Sequence, residues 1–189
     1  KKIFKLKKRP KNNPLIVHYF NIKNLKKDCM INKSFLKLYK KFCPGPITFV
    51  LKLTKESKIS KFVTNNKKTL AVRFPKHPVT RELLKRLNYP LAAPSANLSS
   101  KLSAVCPSDV RDDFGKKLKY ILDGGRSSIG IESTIIDLTK KPKIIRLGGL
   151  ETSLIKNFLK KKIHLNINPK TVSSPGQSKL HYSPGIPIR

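Results

Sequence analysis

Acidic residues are scarce in this chain. Ten Asp and Glu stand against 42 Lys and Arg in 189 residues, for a formal net charge of +32. Among the ten no paired-carboxylate or Asp-rich metal motif is recognisable, which argues against a paired-carboxylate acid/base site and against a protein cage for a hard cation. Any divalent ion is therefore expected to arrive on a substrate's phosphates. Tryptophan is absent, and Cys29, Cys43 and Cys106 are odd in number and lack metal-ligand spacing. That usage fits a reduced, cytosolic setting. His18, His77, His164 and His181 show no HExxH-like grouping. No run of about 18 apolar residues exists, so no membrane span is expected, and the first residues lack the charged-then-apolar pattern of a secretory signal.

What is present is basic and regularly punctuated. The length suits one domain with a proper core. A surface this cationic draws a protein towards RNA, DNA or anionic nucleotides. Yet the cations are mostly Lys, spread among many Ile and Asn, and coding biased to A and T yields that composition without a partner. With no RNP-type aromatic motif, zinc finger or Arg-rich arm, the compositional reading is preferred.

Prolines and glycines divide the chain. Residues 1–9 read as the end of a helix, with Ile3, Phe4 and Leu6 as apolar contacts and Pro10 as its stop. Strands are predicted over 14–20, 47–51, 69–75, 90–93 and 120–122, and in the segments 130–137 and 142–149. Helices are predicted within 21–44, over 78–87, from Pro107 and from Thr152 to Leu159. Residues 55–68 read as loop, and Asp123-Gly124-Gly125 as a tight turn. Residues 164–189, rich in Pro, Ser and Gly, read as an irregular linker, which leaves 1–163 as the compact domain.

Three features point to an anion site. Pro90-Leu91-Ala92-Ala93-Pro94-Ser95-Ala96-Asn97 is a short apolar strand that opens into small polar residues, which places hydroxyls, amides and backbone N–H groups at a sheet rim. Arg73 follows an apolar strand directly before Phe74-Pro75, where an unpaired charge is costly and a carboxylate partner, structural or from a ligand, is required. Arg146 likewise ends a strand. In the tail, His181-Tyr182 sits in a proline-bracketed loop able to fold over a nucleotide, or else forms a disordered end.

Taken together, Lys7-x-Arg9-Pro10 with Asn13-Pro14-Leu15-Ile16-Val17-His18, then Pro44-Gly45-Pro46-Ile47-Thr48, Ala71-Val72-Arg73, Ala93-Pro94-Ser95-Ala96-Asn97, Asp123-Gly124-Gly125 and Glu132-Ser133-Thr134-Ile135 resemble the YrdC family in order and spacing. These are threonylcarbamoyl-AMP synthases, acting in tRNA threonylcarbamoyladenosine formation. Ser174-Pro175-Gly176 with His181-Tyr182-Ser183-Pro184 is similar to the linker of the family's longer, two-domain form. The resemblance implies an α/β fold, with a twisted mixed sheet and flanking helices around a deep basic cavity (YrdC/RibB-like).

Carried over by motif, the resemblance implies a catalytic set of Lys7, Arg9, Ser95 and Asn97 around the ATP phosphates. Asn13, Thr69, Arg146 and Tyr182 would add contacts to the nucleotide. His18, Arg73, Ala93 and Ser133 would hold L-threonine, with Arg73 on its carboxylate. Threonine's amine would capture bicarbonate or CO2, and the carbamate oxygen would attack the α-phosphorus of ATP and release pyrophosphate. No protein nucleophile is needed, and catalysis would rest on positioning and on cations matched to phosphate charge. Mg2+ would come carried by ATP. A downstream tRNA threonylcarbamoyl transferase would take the product, with tRNA contact through the basic surface as a further option, and the setting would be cytoplasmic. The family's first strand and its Pro-Thr-rich turn have no counterpart in these residues, nor does the second domain of the longer form. The expectation is accordingly that residues 1–189 alone release no pyrophosphate. A fold-retaining, non-catalytic RNA binder is the alternative from another class. A carbamoyl-adenylate domain of hydrogenase maturation is a further one, against which the His-Tyr linker argues.

Overall fold

The computed structural model describes residues 1–160 and 163–166. Helix α1 (Lys2–Leu6) buries Phe4 and stops at Lys7, and Lys8 takes a left-handed φ of 52° ahead of Pro10. Strand β1 (Ile16–His18) follows. Where one basic helix is expected within 21–44, two form. Helix α2 (Ile22–Leu25) is capped by the Asn21 side chain, and α3 (Lys33–Phe42) by Asn32, whose Oδ1 accepts from Phe35 N at 2.9 Å. Each Asn satisfies an orphan helix N–H, and each restarts the chain direction.

Strand β2 (Ile47–Lys52) is buried along all but its last residue. The segment 55–68 is not wholly loop, since Ser60 caps a single turn, α4 (Lys61–Thr64). Strand β3 (Thr69–Arg73), helix α5 (Pro78–Arg86) and strand β4 (Leu91–Ala93) match expectation. Helix α6 (Pro107–Phe114) starts at the expected proline. Residues 120–122 form no strand. Tyr120 and Leu122 stand exposed, because this segment pairs with no strand and finds no sheet face to bury against. Strands β5 (Thr134–Asp137) and β6 (Lys143–Arg146) precede helix α7 (Thr152–Leu159). His164 and Leu165, assigned to linker by the sequence, form β7 against β6.

The strands make one mixed sheet in the order β4-β1-β3-β2-β5-β6-β7. Alternation along each strand gives the sheet two unlike faces. One carries Val17, Phe49, Leu51, Leu70, Val72, Ile136 and Ile144 into the main core, with Leu25 of α2, Phe35 and Leu38 of α3, and Ile155 and Leu159 of α7. Phe35 meets Phe49 edge-on at 5.0 Å. The other face buries only Ile16, Val50, Ala71, Ile135 and Ile145, a shallow apolar floor. Helices cover the first face and leave the second available for a site.

Candidate functional site

Register brings the charged residues of that second face together. His18 lies beside Arg73 between β1 and β3, Thr48 lies opposite Arg73 across β2, and Ile135 pairs with both Thr48 and Arg146. Paired residues project to the same side, so His18, Arg73, Thr48 and Arg146 form a row across the sheet. The row opens into a cavity lined also by Arg9, Ala93, Ser95 and Glu132.

Arg73 is the unusual member. Its Nε is buried with no hydrogen-bond partner among the described residues. Burial first, and then the nearby Arg146, pushes its pKa down, while Glu132 opposes the shift. A guanidinium N–H that is buried and unpartnered is an unfavourable arrangement unless a ligand completes it. Beside it, His18 Nδ1 lies 3.4 Å from the Leu91 carbonyl oxygen. Burial, followed by the Arg73 charge, takes the imidazole from 6.5 down to about 4, so it is neutral at pH 7. The tautomer that donates to Leu91 keeps Nε2 as an acceptor.

Arg146 is tightly held. Its Nε and Nη2 donate to the Ser133 carbonyl oxygen at 3.1 and 2.9 Å, and Nη2 reaches Ser133 Oγ at 3.1 Å. Its Nη1 lies 2.7 Å from Glu132 Oε2. Glu132 Oε1 accepts from Ser103 Oγ at 2.9 Å, and Ser133 Oγ shares a 2.7 Å bond with Thr48 Oγ1. Gly148 is required behind this cluster, since a Cβ there would collide with the backbone of Glu132 and Ser133.

On the opposite wall, Arg9 donates to Asn13 Oδ1 at 2.7 Å and to the Pro14 carbonyl oxygen at 2.8 Å, and burial brings its pKa to about 10, still cationic at neutral pH. Lys7 stands behind the Ser95 loop. Its Nζ donates to the carbonyl oxygens of Ser95 and Asn97, and burial, then Arg9, lowers it to about 8. Asn97 is buried and spans its own loop, donating to the Lys101 carbonyl oxygen at 2.7 Å.

Of the residues singled out by sequence, Arg9, His18, Arg73, Ala93, Ser95 and Arg146 line the cavity. Lys7, Asn13, Asn97 and Ser133 lie one layer behind, where they orient the lining. Thr69 does not join them. It opens β3 opposite Lys52, four residues before Arg73, which at strand rise is about 13 Å away. Tyr182 and the tail loop lie outside the described residues. The sequence reading quotes Glu132 within its motif without giving it a role, and it misses Ser103. The signal for Glu132 in the sequence is that it is one of only ten acids and directly precedes Ser133.

A family profile described as Sua5_yciO_yrdC, telomere recombination, matches residues 1–148. The chain is 38% identical to the threonylcarbamoyl-AMP synthase of Pyrococcus abyssi, over 100% of this chain and 56% of that protein. It is 36% identical to the threonylcarbamoyl-AMP synthase of Schizosaccharomyces pombe, over 96% of this chain and 52% of that one. The crystal structure of P. abyssi Sua5 complexed with L-threonine superposes with a TM-score of 0.90 at 36% identity, covering 96% of this chain and 55% of that one. This chain thus spans about half the length of the curated relatives it matches. By profile, identity and fold alike, the chain belongs to the Sua5/YciO/YrdC family.

Proposed function

We propose that this chain is the catalytic domain of an L-threonylcarbamoyladenylate synthase, a nucleotidyltransferase that makes threonylcarbamoyl-AMP and pyrophosphate from L-threonine, bicarbonate or CO2, and ATP. The observation that carries the reading is Arg73, a half-buried residue whose buried Nε has no partner among the described residues, facing a cavity lined by two further arginines. An amino-acid carboxylate fits Arg73, and a polyphosphate fits Arg9 and Arg146. That relatives carry the synthase name, and that one was crystallised with L-threonine, supports the assignment.

In this reading the carboxylate of threonine binds Arg73, and neutral His18 accepts a hydrogen bond from its hydroxyl or amine through Nε2. The amine nitrogen forms a bond to the carbon of CO2 and loses a proton. A carbamate oxygen then bonds to the α-phosphorus as the bond to the bridging oxygen breaks and pyrophosphate leaves. The protein's part is positioning, with fixed cations where phosphate charge develops. Among the described residues no group of three or more His, Cys, Asp or Glu could hold a metal ion, and Mg2+ is assigned to the incoming ATP. No helix among the described residues is long and apolar enough to cross a membrane. A cytoplasmic setting, with a tRNA threonylcarbamoyl transferase taking the product, is part of the same proposal.

The test uses the product of the complete open reading frame that encodes this chain. Pyrophosphate release should require L-threonine, ATP and bicarbonate together, and mass spectrometry should detect the adenylate. Release indifferent to threonine would overturn the reading. RNA binding without any release would favour a non-catalytic relative.

A further inference from the structure

Among the described residues, none of helix α6 lines the cavity, yet its last two residues both reach the loop that does. Asp113 Oδ2 accepts from Leu98 N at 2.8 Å, and Asp113 Oδ1 accepts from Lys101 Nζ at 2.9 Å. Phe114, only 5% exposed, holds its ring centroid 6.0 Å from Lys7 Nζ, the ammonium that donates to the Ser95 and Asn97 carbonyl oxygens. Lys7 therefore grips the loop 95–101 at its head and Asp113 grips it further on. Ser95 and Ala96, at that head, line the cavity.

Two features show that Asp113 stands where the helix alone would not favour it. A carboxylate in the last turn faces the negative end of the helix dipole, a place better suited to a cation. Ser100, which lies between the two residues that Asp113 binds, has a left-handed φ of 74°. A residue other than glycine keeps that conformation only where its surroundings fix it. The bonds at Leu98 and Lys101 bracket Ser100, and Lys101 N closes the turn on the Leu98 carbonyl oxygen at 3.2 Å. The Lys101 side chain is 60% exposed, so water screens that end of the grip. The charge-assisted bond to the Leu98 backbone N–H is the stronger hold.

We propose that Asp113 is a positioning residue for the phosphate-binding half of the cavity, acting through Leu98 N and the turn at Ser100 to set where Ser95 and Ala96 stand. The proposal rests on the synthase reading above and adds to it a residue that touches no substrate. The threonine half is built from His18 and Arg73, which stand on the sheet and not on this loop. The two substrates should therefore respond differently to a change at Asp113.

Pyrophosphate release by the product of the complete open reading frame, titrated with each substrate in turn, tests this. Asp113→Asn should raise the KM for ATP roughly 10-fold, the worth of a bond to a charged group, and leave the KM for threonine nearly unchanged. Asp113→Glu keeps the charge but displaces the carboxylate by one methylene, and it should raise the KM for ATP as well. Asp112→Asn, the exposed neighbour with the same loss of charge, should change neither value. Hydrogen exchange should accelerate in residues 97–101 of Asp113→Asn and not of Asp112→Asn. Glycine tolerates the left-handed turn, so Ser100→Gly added to Asp113→Asn should recover part of the lost ATP affinity. Circular dichroism should confirm that each variant folds. An unchanged KM for ATP in Asp113→Asn or in Asp113→Glu overturns the proposal, as does an equal rise for both substrates, which would mark a general stabilising role. No recovery on adding Ser100→Gly overturns the action through the turn. A parent protein without threonine-dependent release would overturn the synthase reading and this proposal with it, whereas unchanged kinetics in variants of an active parent overturns this proposal alone.

Discussion

Arg146 Nη1 and Glu132 Oε2 lie 2.7 Å apart, with 8% and 17% of their side chains exposed. Among the described residues lining the cavity Glu132 is the one carboxylate, and Arg9, Arg73 and Arg146 are the cations. Its charge raises the pKa of Lys7, Arg9 and Arg73 against the burial that lowers them. One carboxylate against three guanidiniums leaves a surplus of positive charge, which is what a polyphosphate and a carboxylate would match.

Removing that carboxylate should therefore be costly. Glu132→Ala strips one partner from a largely buried pair, and a loss of about 3 kcal/mol is expected. The exposed pair of Glu82 and Arg86, one helical turn apart at 2.8 Å, is the internal control. Glu82→Ala, at an exposed and solvent-screened pair, should leave stability nearly unchanged. Urea midpoints of the two variants decide it, and equal, small shifts would mean that Glu132 does not hold the wall.

Arg73→Lys keeps the charge and removes the planar fork. If Arg73 receives the threonine carboxylate, threonine affinity should fall about 10-fold or more while ATP affinity changes little. Calorimetry with each ligand separates these outcomes. Loss of both ligands equally, or of neither, would remove the assignment.

How far these residues were legible depended on whether local chemistry or pairing decided them. Arg73 could be read from sequence because a charge between Val72 and Phe74 needs a partner wherever the strand lies. The Ser95 and Asn97 loop was legible through its small polar residues, though the side chain of Asn97 turned out to brace the loop from behind. Thr69 could not be placed, because only the pairing of β3 shows which end of the strand meets the cavity. The run 120–122 has the apolar character of a strand but no edge to join, and His164-Leu165 has little of that character yet finds β6. Partners far away in sequence settled both.

Lys7 ties α1 to the Ser95 loop through Nζ, and its backbone carbonyl also accepts from Ser99 N at 2.9 Å. In Lys7→Met the apolar stem persists, but two carbonyl oxygens lose their donor, at a cost of about 2 kcal/mol. Hydrogen exchange should accelerate in residues 95–101 and leave β2 and β3 protected. Uniform acceleration across the sheet would instead mark Lys7 as a general stabilising residue with no particular hold on the loop.

His18 gives the protein a signed dependence on pH. In the unfolded chain it titrates near 6.5, and in the fold at about 4, lowered by burial and then by Arg73, with the Leu91 and Ile16 carbonyls acting in the other direction. Between those values the unfolded chain holds the extra proton, so stability must rise with pH across that window. Above about pH 6.5 the penalty is absent. On acidification it grows by about 1 kcal/mol per pH unit and levels off once the folded imidazole also protonates, near pH 4. Asp109 and Asp113, whose pKa values are also lowered, add their own losses only below their ordinary range, so the interval from about pH 5 to 6.5 isolates histidine. Urea melts across that interval should show the slope in the parent chain and a flatter profile in His18→Asn. Parallel slopes in the two proteins would mean that His18 is solvated and charged in the fold, and so not the neutral acceptor the cavity requires.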